Sequence, residues 1–382
     1  MKRLGLYIHF PFCKRKCNYC DFYSCTSLEK SKEYIDSICK QLKAEAPLYK
    51  DYIFDTVFIG GGTPSLIDTD DFIRLSSTIK GCLNLSSELE FSIEVNPGTI
   101  TKEKLFAYKS SGVNRISIGL QSTDDKELEA LGRIHNYEAF VRNYNLTREC
   151  GFDNINIDIM YSLPNQKKEA FLETLDKVIK LNPEHISAYS LKIEENTPFG
   201  KMKSKLILPD EEEEYDIYIS MCEALSKNGY LQYEISNFAK EGYECKHNLK
   251  YWLSEEYIGI GPSSHSYFNG ERYSYNANLG EYVSKIKRNG SPTKVIELDE
   301  EDDNSTPKIS KMDEYVMLKM RLSCGVELKE FYKLFQKEFT SIYPKISTYL
   351  NTGHVIFDNG AYKFTPKGFF VSNYILADIL RF

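Results

Sequence analysis

Short apolar runs rich in β-branched residues alternate with amphipathic stretches along the first half of the chain. The apolar runs predict strands at residues 6–10, 56–59, 91–95, 115–120, 155–163 and 185–191. The amphipathic stretches predict helices at residues 28–45, 70–82, 102–110, 124–131, 137–150 and 167–181. This repeated strand–helix alternation predicts an α/β fold with a parallel sheet, either open or curled into a full or partial barrel.

Polar residues and glycines collect where the predicted strands end. A group of cysteines follows the first strand, and the sequence Gly60-Gly61-Gly62-Thr63-Pro64 follows the second. Glu94 and Asn96 end the third strand, Gln121 ends the fourth, and Asp158 lies within the fifth. Because parallel α/β sheets bind ligands at the carboxyl ends of their strands, these residues predict one site assembled from several strands.

The alternation ends after residue 191, and the rest of the chain is organised differently. An acidic run at 211–214 predicts a solvated helix start, and residues 298–306 predict an acidic exposed linker. Residues 311–320 and 328–339 predict helices, and residues 355–357 and 361–364 predict a hairpin around Asp358-Asn359-Gly360. We therefore expect a barrel domain over 1–235, a connecting region over 236–297, a linker over 298–310 and a small C-terminal α+β domain over 311–382.

Composition excludes several classes of protein. The 382 residues are 42% hydrophobic and 27% charged, as in ordinary globular proteins and unlike disordered or collagen-like chains. The net charge of −7 excludes a general basic surface for nucleic acid. No apolar stretch has the length of a signal-peptide core or a transmembrane helix, so we expect a cytoplasmic protein. Its 10 cysteines are then expected to be reduced, in metal-binding, redox or buried-thiol roles.

Three of these cysteines, Cys13, Cys17 and Cys20, form a C-x3-C-x2-C group. Such a group could hold zinc, which needs four protein ligands, and His9 and Cys25 are the nearest candidates for the fourth. It could also hold a 4Fe–4S cluster, in which three cysteines leave one iron open for a substrate. The glycine-rich strand end nearby favours the cluster. The other cysteines are scattered, and most of them are expected to be buried thiols.

The cysteine group and its context resemble a known superfamily. Residues 7–20, YIHFPFCKRKCNYC, are similar to the signature of radical S-adenosylmethionine (SAM) proteins, in the branch of the oxygen-independent coproporphyrinogen III oxidases and the related haem chaperones. The resemblance continues through GGGTPS (60–65), SIEVNP (92–97), ISIGLQS (116–122), LGRIH (131–135), HISAYSLKIEENTPF (185–199), YEISNFAKEGYECKHNLKYW (233–252) and EYIGIGPSSHS (256–266). So many motifs in one order make an accidental similarity remote.

The resemblance implies a fold, cofactors and a set of binding residues. The fold would be a partial (β/α)6 barrel of the TIM type, in which the three cysteines hold a 4Fe–4S cluster and SAM chelates its fourth iron. A reductant then supplies the cluster with the electron that cleaves SAM to methionine and a 5′-deoxyadenosyl radical. Glycines would let the methionyl amine approach the backbone, a carboxylate suits the ribose hydroxyls, and an arginine suits a carboxylate. The SAM contacts implied by the family correspondence are Tyr7, Gly61, Gly62, Thr63, Glu94, Gln121, Arg133 and Asp158.

Two features favour the haem-chaperone branch. The oxidase pattern has a fourth cysteine two residues after the third, where this sequence has Phe22. The second feature is HNLKYW at 247–252, which is similar to a motif associated with haem binding and implies His247 as a haem contact. Cys245 is an alternative thiolate ligand. One departure is Ser162, where relatives usually have glycine before Leu-Pro.

The resemblance thus implies a protein that binds the cluster, SAM and haem and delivers haem to acceptor haemoproteins such as respiratory enzymes. No catalytic residue is assigned. Two alternatives stay open at this point. One is an enzyme that decarboxylates coproporphyrinogen III by a radical mechanism. The other is a haem-storage or sensing module whose cluster is chiefly structural.

Overall fold

Parallel strands separated by helices occupy the first half of the chain in the computed structural model, which describes residues 1–296 and 310–380. The strands are β1 (Lys2–Phe10), β2 (Tyr52–Gly61), β3 (Leu85–Val95), β4 (Arg115–Gln121), β5 (Ile155–Tyr161) and β6 (His185–Ser190). The helices are α1 (Ser31–Glu45), α2 (Thr69–Cys82), α3 (Lys102–Ser110), α4 (Asp125–Ala130), α5 (Tyr137–Glu149), α6 (Lys168–Leu181) and α7 (Pro198–Lys201). Short 3-10 turns lie at Leu28–Lys30, Ala46–Tyr49, Pro64–Leu66 and Lys203–Lys205.

Local chemistry explains these elements. The side chains of Asp68, Thr101, Asp124 and Asn136 accept hydrogen bonds from backbone N–H groups in the first turns of α2 to α5, which fixes where those helices begin. All residues of β4 are buried. A strand covered on both faces is typical of a parallel sheet packed between layers, and it explains why the central strands are nearly continuous apolar runs.

The sheet continues on the other side of β1 with residues from later in the chain. Residues 210–255 first form α8 (Glu211–Lys227), β7 (Leu231–Glu234), β8 (Asn237–Ala239) and α9 (Lys246–Trp252). They are followed by β9 (Tyr257–Ile260), β10 (His265–Phe268), β11 (Glu271–Tyr275), α10 (Leu279–Asn289) and β12 (Lys294–Ile296). Strand β9 pairs with β1 in parallel, and β10, β11 and β12 add to it in antiparallel order.

The chain divides into two compact units. The first comprises Met1–Pro209 and Glu256–Glu297, and its strands are arranged in the order β12-β11-β10-β9-β1-β2-β3-β4-β5-β6. The second comprises Asp210–Glu255 and Leu298–Phe382. Residues 210–255 therefore belong with the C-terminal residues, whereas the sequence analysis divided them between the barrel domain and a connecting region.

Helices and a small antiparallel sheet build the second unit. After α8 to α9, its elements are α11 (Lys311–Lys319), β13 (Val326–Glu327), α12 (Leu328–Phe335), α13 (Phe339–Ile342), α14 (Ile346–Asn351), β14 (Val355–Asp358), β15 (Ala361–Phe364), α15 (Pro366–Phe370) and α16 (Ser372–Ile379). The sheet order is β13-β15-β14. Helix α15 packs on α8 through Phe370, whose ring lies 5.2 Å from that of Tyr215, so residues from both halves of this unit share one core.

Most sequence predictions of secondary structure are confirmed. The predicted hairpin forms, and Asn359 and Gly360 both have positive φ, as a tight two-residue turn requires. The acidic run begins α8, where Asp210 and Glu213 form a capping box. The prediction of one helix over 328–339 is wrong, because Gln336 turns to φ +52° and ends α12. The predicted linker at 298–310 lies outside the described residues, except for Ser310. Among the described helices, none has the length and apolar character needed to cross a membrane.

Candidate functional site

The loop that carries Cys13, Cys17 and Cys20 leaves the carboxyl end of β1 and is closed by its own backbone. Cys13 N–H donates to the Cys25 carbonyl at 2.9 Å, and Cys25 N–H donates to the Pro11 carbonyl at 2.7 Å. The middle of the loop is tied down as well, since Asn18 N–H donates to the Leu131 carbonyl at 2.9 Å. The three cysteines are therefore held at the end of the barrel strands.

Side chains from two neighbouring loops contact the cysteine sulfurs. The Thr63 hydroxyl donates to Cys13 Sγ at 3.5 Å, and Arg133 Nη1 donates to Cys17 Sγ at 3.7 Å. Burial raises the pKa of Cys13, partly offset by the Thr63 hydrogen bond, and burial raises the pKa of Cys20 to about 11. Each of these two pKa values is raised further by neighbouring cysteines of the group. Their thiolates need a nearby cation, which bound iron would supply.

The donor set fits an iron–sulfur cluster better than a zinc ion. Within residues 1–296 and 310–380, no three His, Cys, Asp or Glu side chains are arranged to hold a single metal ion. Cysteines that ligate a 4Fe–4S cluster bind separate irons, so they need not converge on one point. His9, the candidate histidine ligand for zinc, already uses both ring nitrogens in hydrogen bonds. Nδ1 is bonded to the Tyr7 hydroxyl at 3.1 Å and Nε2 to the Tyr23 carbonyl at 2.8 Å.

The glycine sequence at the end of β2 lets the cysteine loop pass close to the strand. A Cβ atom on Gly62 would lie 2.7 Å from the carbonyl oxygen of Phe12 and 2.9 Å from that of Phe10. Gly61 has φ +111°, and a Cβ there would lie 2.6 Å from the His9 ring. Gly61 N–H donates to Glu94 Oε2 at 3.0 Å. These glycines thus serve the packing of the chain itself, a role that the sequence analysis did not assign to them.

A row of polar residues crosses the sheet beside this loop. The strand register places Glu94 of β3 opposite Ser117 of β4, Ser117 opposite Asn156 of β5, and Asn156 opposite His185 of β6. Asp158 joins this row, because its carboxylate accepts from Asn156 Nδ2 at 2.7 Å and from the Ser117 hydroxyl at 3.3 Å. The row therefore brings the carboxyl groups of Glu94 on β3 and Asp158 on β5 near each other across β4.

The two carboxyl groups have perturbed acidities. Burial, followed by the charge of Asp158, raises the pKa of Glu94 to about 8. Burial also raises the pKa of Asp158, although hydrogen bonds from Asn156 and Ser187 and the charge of Arg115 oppose that effect. Both side chains keep partial access to solvent. Carboxyl groups that are partly accessible are suited to accepting hydrogen bonds from a polar ligand.

Arg133 and Asn96 connect the cysteine loop to the strand ends. Arg133 Nη2 donates to Asn96 Oδ1 at 2.7 Å and to the Gly119 carbonyl at 2.6 Å, and Asn96 Nδ2 donates to the Thr63 hydroxyl at 2.9 Å. A cavity lies beside Cys17, and Thr63, Asn96 and Arg133 contribute to its walls.

Most of the site residues predicted from sequence meet in the first unit. Tyr7 lies near Glu94, whose charge adds to the effect of burial in raising the pKa of Tyr7. Gln121 has φ +75° at a bulge in β4. Its side-chain amide and the Arg133 guanidinium both pack against Gly119, where a Cβ atom would lie 3.1 Å from the amide nitrogen. Ser162 has φ +59°, a backbone conformation that favours glycine.

His247 belongs to the second unit. It lies on α9, is 1% exposed, and its Nε2 is hydrogen-bonded to the Tyr251 hydroxyl at 2.9 Å. Cys245 is also buried. The imidazole is a suitable ligand for haem iron, but in this conformation its Nε2 is occupied and covered.

The sequence analysis gave no binding or positioning role to several residues of the site. Asn96, which the sequence analysis placed at the strand ends without assigning it a role, joins Thr63 to Arg133. Arg115 is 2% exposed in β4, and a charged residue inside an apolar strand pattern was the signal there. The links among Ser117, Asn156 and His185 depend on strand register, which the sequence alone did not provide.

Comparisons with known proteins agree with this geometry. Residues 7–178 match the radical SAM superfamily, and residues 307–371 match the HemN C-terminal domain. The chain is 35% identical to the heme chaperone HemW of Haemophilus influenzae over 98% of this chain and 97% of that protein. It is 34% identical to HemW of Bacillus subtilis over 89% of each chain, and 40% identical to HemW of Escherichia coli over 69% of each.

A solved structure is similar over almost the whole chain. Coproporphyrinogen III oxidase (HemN) from Escherichia coli aligns with a TM-score of 0.83 and 22% identity, covering 98% of this chain and 89% of that one. At this identity the likeness establishes the fold. The predicted α/β fold, a partial (β/α)6 barrel with a small C-terminal α+β domain, is confirmed.

Proposed function

Because this chain belongs to the HemW family of radical SAM proteins, we propose that it is a haem chaperone that binds a 4Fe–4S cluster, SAM and haem and delivers haem to acceptor haemoproteins. The observation that carries this proposal is the 35% identity to a heme chaperone over 98% of the chain. We place its action in the cytoplasm, where thiols stay reduced, and its acceptors among haemoproteins such as respiratory enzymes.

Under this proposal, Cys13, Cys17 and Cys20 hold the cluster. The loop is already ordered by backbone hydrogen bonds, so the thiols need only lose their protons to bind iron. Arg133 and the Thr63 hydroxyl would stabilise the negative charge that remains on the cluster sulfurs. When bound, the cluster and SAM together supply one-electron chemistry; the electron comes from an external reductant.

The proposed SAM site extends from the cysteine loop along the strand ends. Arg133 would pair with the ligand carboxylate, since its guanidinium is held in place by Asn96 and Gly119 and borders the cavity beside Cys17. Glu94 and Asp158 would accept hydrogen bonds from the ribose hydroxyls. Tyr7, Thr63, Gln121 and the backbone of Gly61 and Gly62 would complete the contacts.

His247 is the proposed haem ligand, with Cys245 as the alternative. The HNLKYW helix supplies an imidazole together with Tyr251 and Trp252, whose rings could flank a porphyrin. For Nε2 to reach iron, the Tyr251 hydroxyl must give up its hydrogen bond and the buried ring must become accessible. We therefore expect haem binding to be coupled to a movement of this helix.

The alternative enzyme activity, coproporphyrinogen III decarboxylation, finds less support. The structural likeness to HemN is a likeness of fold at 22% identity. The fourth cysteine of the oxidase pattern is absent here, and Phe22 takes its place with 69% of its surface exposed. A large apolar side chain exposed beside the cysteine loop is suited to contact a partner or a flat apolar ligand.

The proposal is tested by anaerobic reconstitution with iron and sulfide, followed by titration of one sample with SAM and with haem. We expect about four irons per chain, binding of both ligands, and transfer of bound haem to the apo form of a haem b protein. The same sample is then incubated with reductant, SAM and coproporphyrinogen III. Decarboxylated product would replace the chaperone proposal with the enzyme, and haem binding without transfer would favour storage or sensing.

A further inference from the structure

Arg321 in the second unit is a cation whose role the proposed function leaves unexplained. It lies just after α11, and its guanidinium carbon is 5.9 Å from the ring centroid of Trp252, the last residue of α9. Its Nη2 donates to Asn373 Oδ1 at 2.8 Å in an exposed hydrogen bond. The side chain is partly exposed, so it is fixed by two neighbours and still reachable from solvent.

The segment YEISNFA (233–239), part of a longer motif noted in the sequence analysis, pairs with the chain next to this arginine. Glu234 is 1% exposed and accepts a hydrogen bond from the Asn237 amide. Its backbone forms a bridge with Leu322, and Ser323 N–H donates to the Tyr233 carbonyl at 3.0 Å, so the chain directly after Arg321 is anchored to β7. The motif thus helps to position the arginine.

Arg321 differs from other cations of the same unit. Lys250, Lys319, Lys345 and Lys363 pair with carboxylates at 2.6–3.0 Å. In the part of the chain that the structure describes, no carboxylate lies within the ion-pair distance of 4.0 Å from the Arg321 guanidinium, although the charge of Glu234 acts on it from further away. Its remaining N–H donors are therefore available to an incoming carboxylate.

We propose that Arg321 and Trp252 form a binding site for a porphyrin carboxylate, so that Arg321 pairs with a propionate of the haem while the indole contacts the macrocycle edge. This inference rests on the proposed haem function and names a new contact for it. The planar guanidinium fork matches a carboxylate in a two-point hydrogen bond, and the adjacent aromatic face suits a flat apolar ring. A haem carries its propionate carboxylates at one edge of its flat apolar macrocycle, so it could contact both residues at once.

The position of Trp252 on α9 supports the assignment. Trp252 follows His247 by five residues, which corresponds to about 7.5 Å along a helix axis. One short helix thus carries the proposed iron ligand and the ring that supports the proposed propionate anchor. Arg321 is partly exposed to solvent, whereas His247 is buried. The propionate can therefore bind Arg321 first, before the His247 imidazole becomes accessible to the iron.

The test compares haem binding by the parent chain and by Arg321→Gln, using anaerobic titrations followed by the Soret band. We expect Arg321→Gln to bind haem about tenfold more weakly, since it loses a charge-assisted hydrogen bond. Arg272→Gln is the matched control, because Arg272 also lies over an aromatic ring, 4.7 Å from the Tyr267 centroid, but in the first unit. This control should bind haem like the parent.

A second probe, haem with both propionates esterified, makes the test independent of whether the variant folds. The parent should bind the ester about tenfold more weakly than haem, and Arg321→Gln should not distinguish the two ligands. Equal binding of haem and ester by the parent, or equal discrimination by Arg321→Gln, would overturn this inference while leaving the haem function intact. If the parent bound neither ligand, the proposed function itself would be wrong, and this inference with it.

Discussion

Replacing Glu94 with glutamine should make the stability of the ligand-free protein less dependent on pH. Burial and the nearby Asp158 raise the pKa of Glu94 from 4.5 to about 8, so the folded protein holds a proton there at neutral pH. The unfolded chain releases that proton above about pH 4.5. Folding therefore takes up a proton between these two pKa values, and the contribution of Glu94 to stability falls as the pH rises through this window.

The size of the effect follows from the same pKa values. Within the window, each pH unit changes the free energy of unfolding by at most about 1.4 kcal/mol. Between pH 6 and pH 8, with allowance for the partial access of the carboxyl to solvent, the parent should lose about 1–2 kcal/mol relative to Glu94→Gln. For a unit of this size, that loss corresponds to about 2–8 °C in Tm.

Urea unfolding followed by circular dichroism, under anaerobic reducing conditions at several pH values, measures this difference. Burial lowers the pKa values of His9, His135 and His185, so these groups make the stability rise with pH, opposite to the effect of Glu94. They do so equally in the parent and in the variant. The difference between the two pH curves therefore isolates Glu94. Asp158→Asn should also flatten the parent curve, because it removes a charge that raises the Glu94 pKa. Parallel curves for parent and Glu94→Gln would refute the reasoning.

Four further predictions concern the binding groups and the loop. Iron content and the broad absorption near ~400 nm should be lost when alanine replaces any one of Cys13, Cys17 or Cys20. Arg133→Ala should weaken SAM binding by roughly 10- to 150-fold in calorimetric titrations, and unchanged affinity would exclude Arg133 from the site. Gly62→Ala should lower the free energy of unfolding by about 1–3 kcal/mol, because its Cβ would overlap backbone atoms, whereas Gly81→Ala in open space should not destabilise. His247→Ala should shift the haem Soret band; an unchanged spectrum there, with a change in Cys245→Ala, would identify the thiolate as the ligand.

The barrel could be predicted from the sequence because its signals are local. Strands β1 to β6 are apolar runs with polar residues at their ends, and capping residues such as Asp124 and Asn136 mark the helix starts. The carboxyl ends of parallel strands meet at one edge, so the cysteines, Thr63 and Glu94 could be expected at one site from the sequence pattern, whereas Arg133 was implied only by the family resemblance.

The remainder could not be predicted because it depends on contacts between distant segments. Strand β9 has four residues and pairs with β1 from more than two hundred residues away in sequence, a pairing that local pattern does not encode. The hydrogen bonds of Asn156 with His185 and Asp158 require the register of two strands. The burial of His247 was equally hidden, since an isolated HNLKYW helix gives no sign of what covers its histidine.

The backbone closure of the cysteine loop, through Cys13, Cys25 and Pro11, has a consequence for how the metal centre is made. The conformational entropy of ordering this loop is lost when the barrel folds and not when iron arrives. Small zinc domains differ in this respect, because they fold only around their metal. If this loop holds the proposed cluster, we expect oxidative loss of the iron to leave the barrel folded, so that the same chain can bind a new cluster.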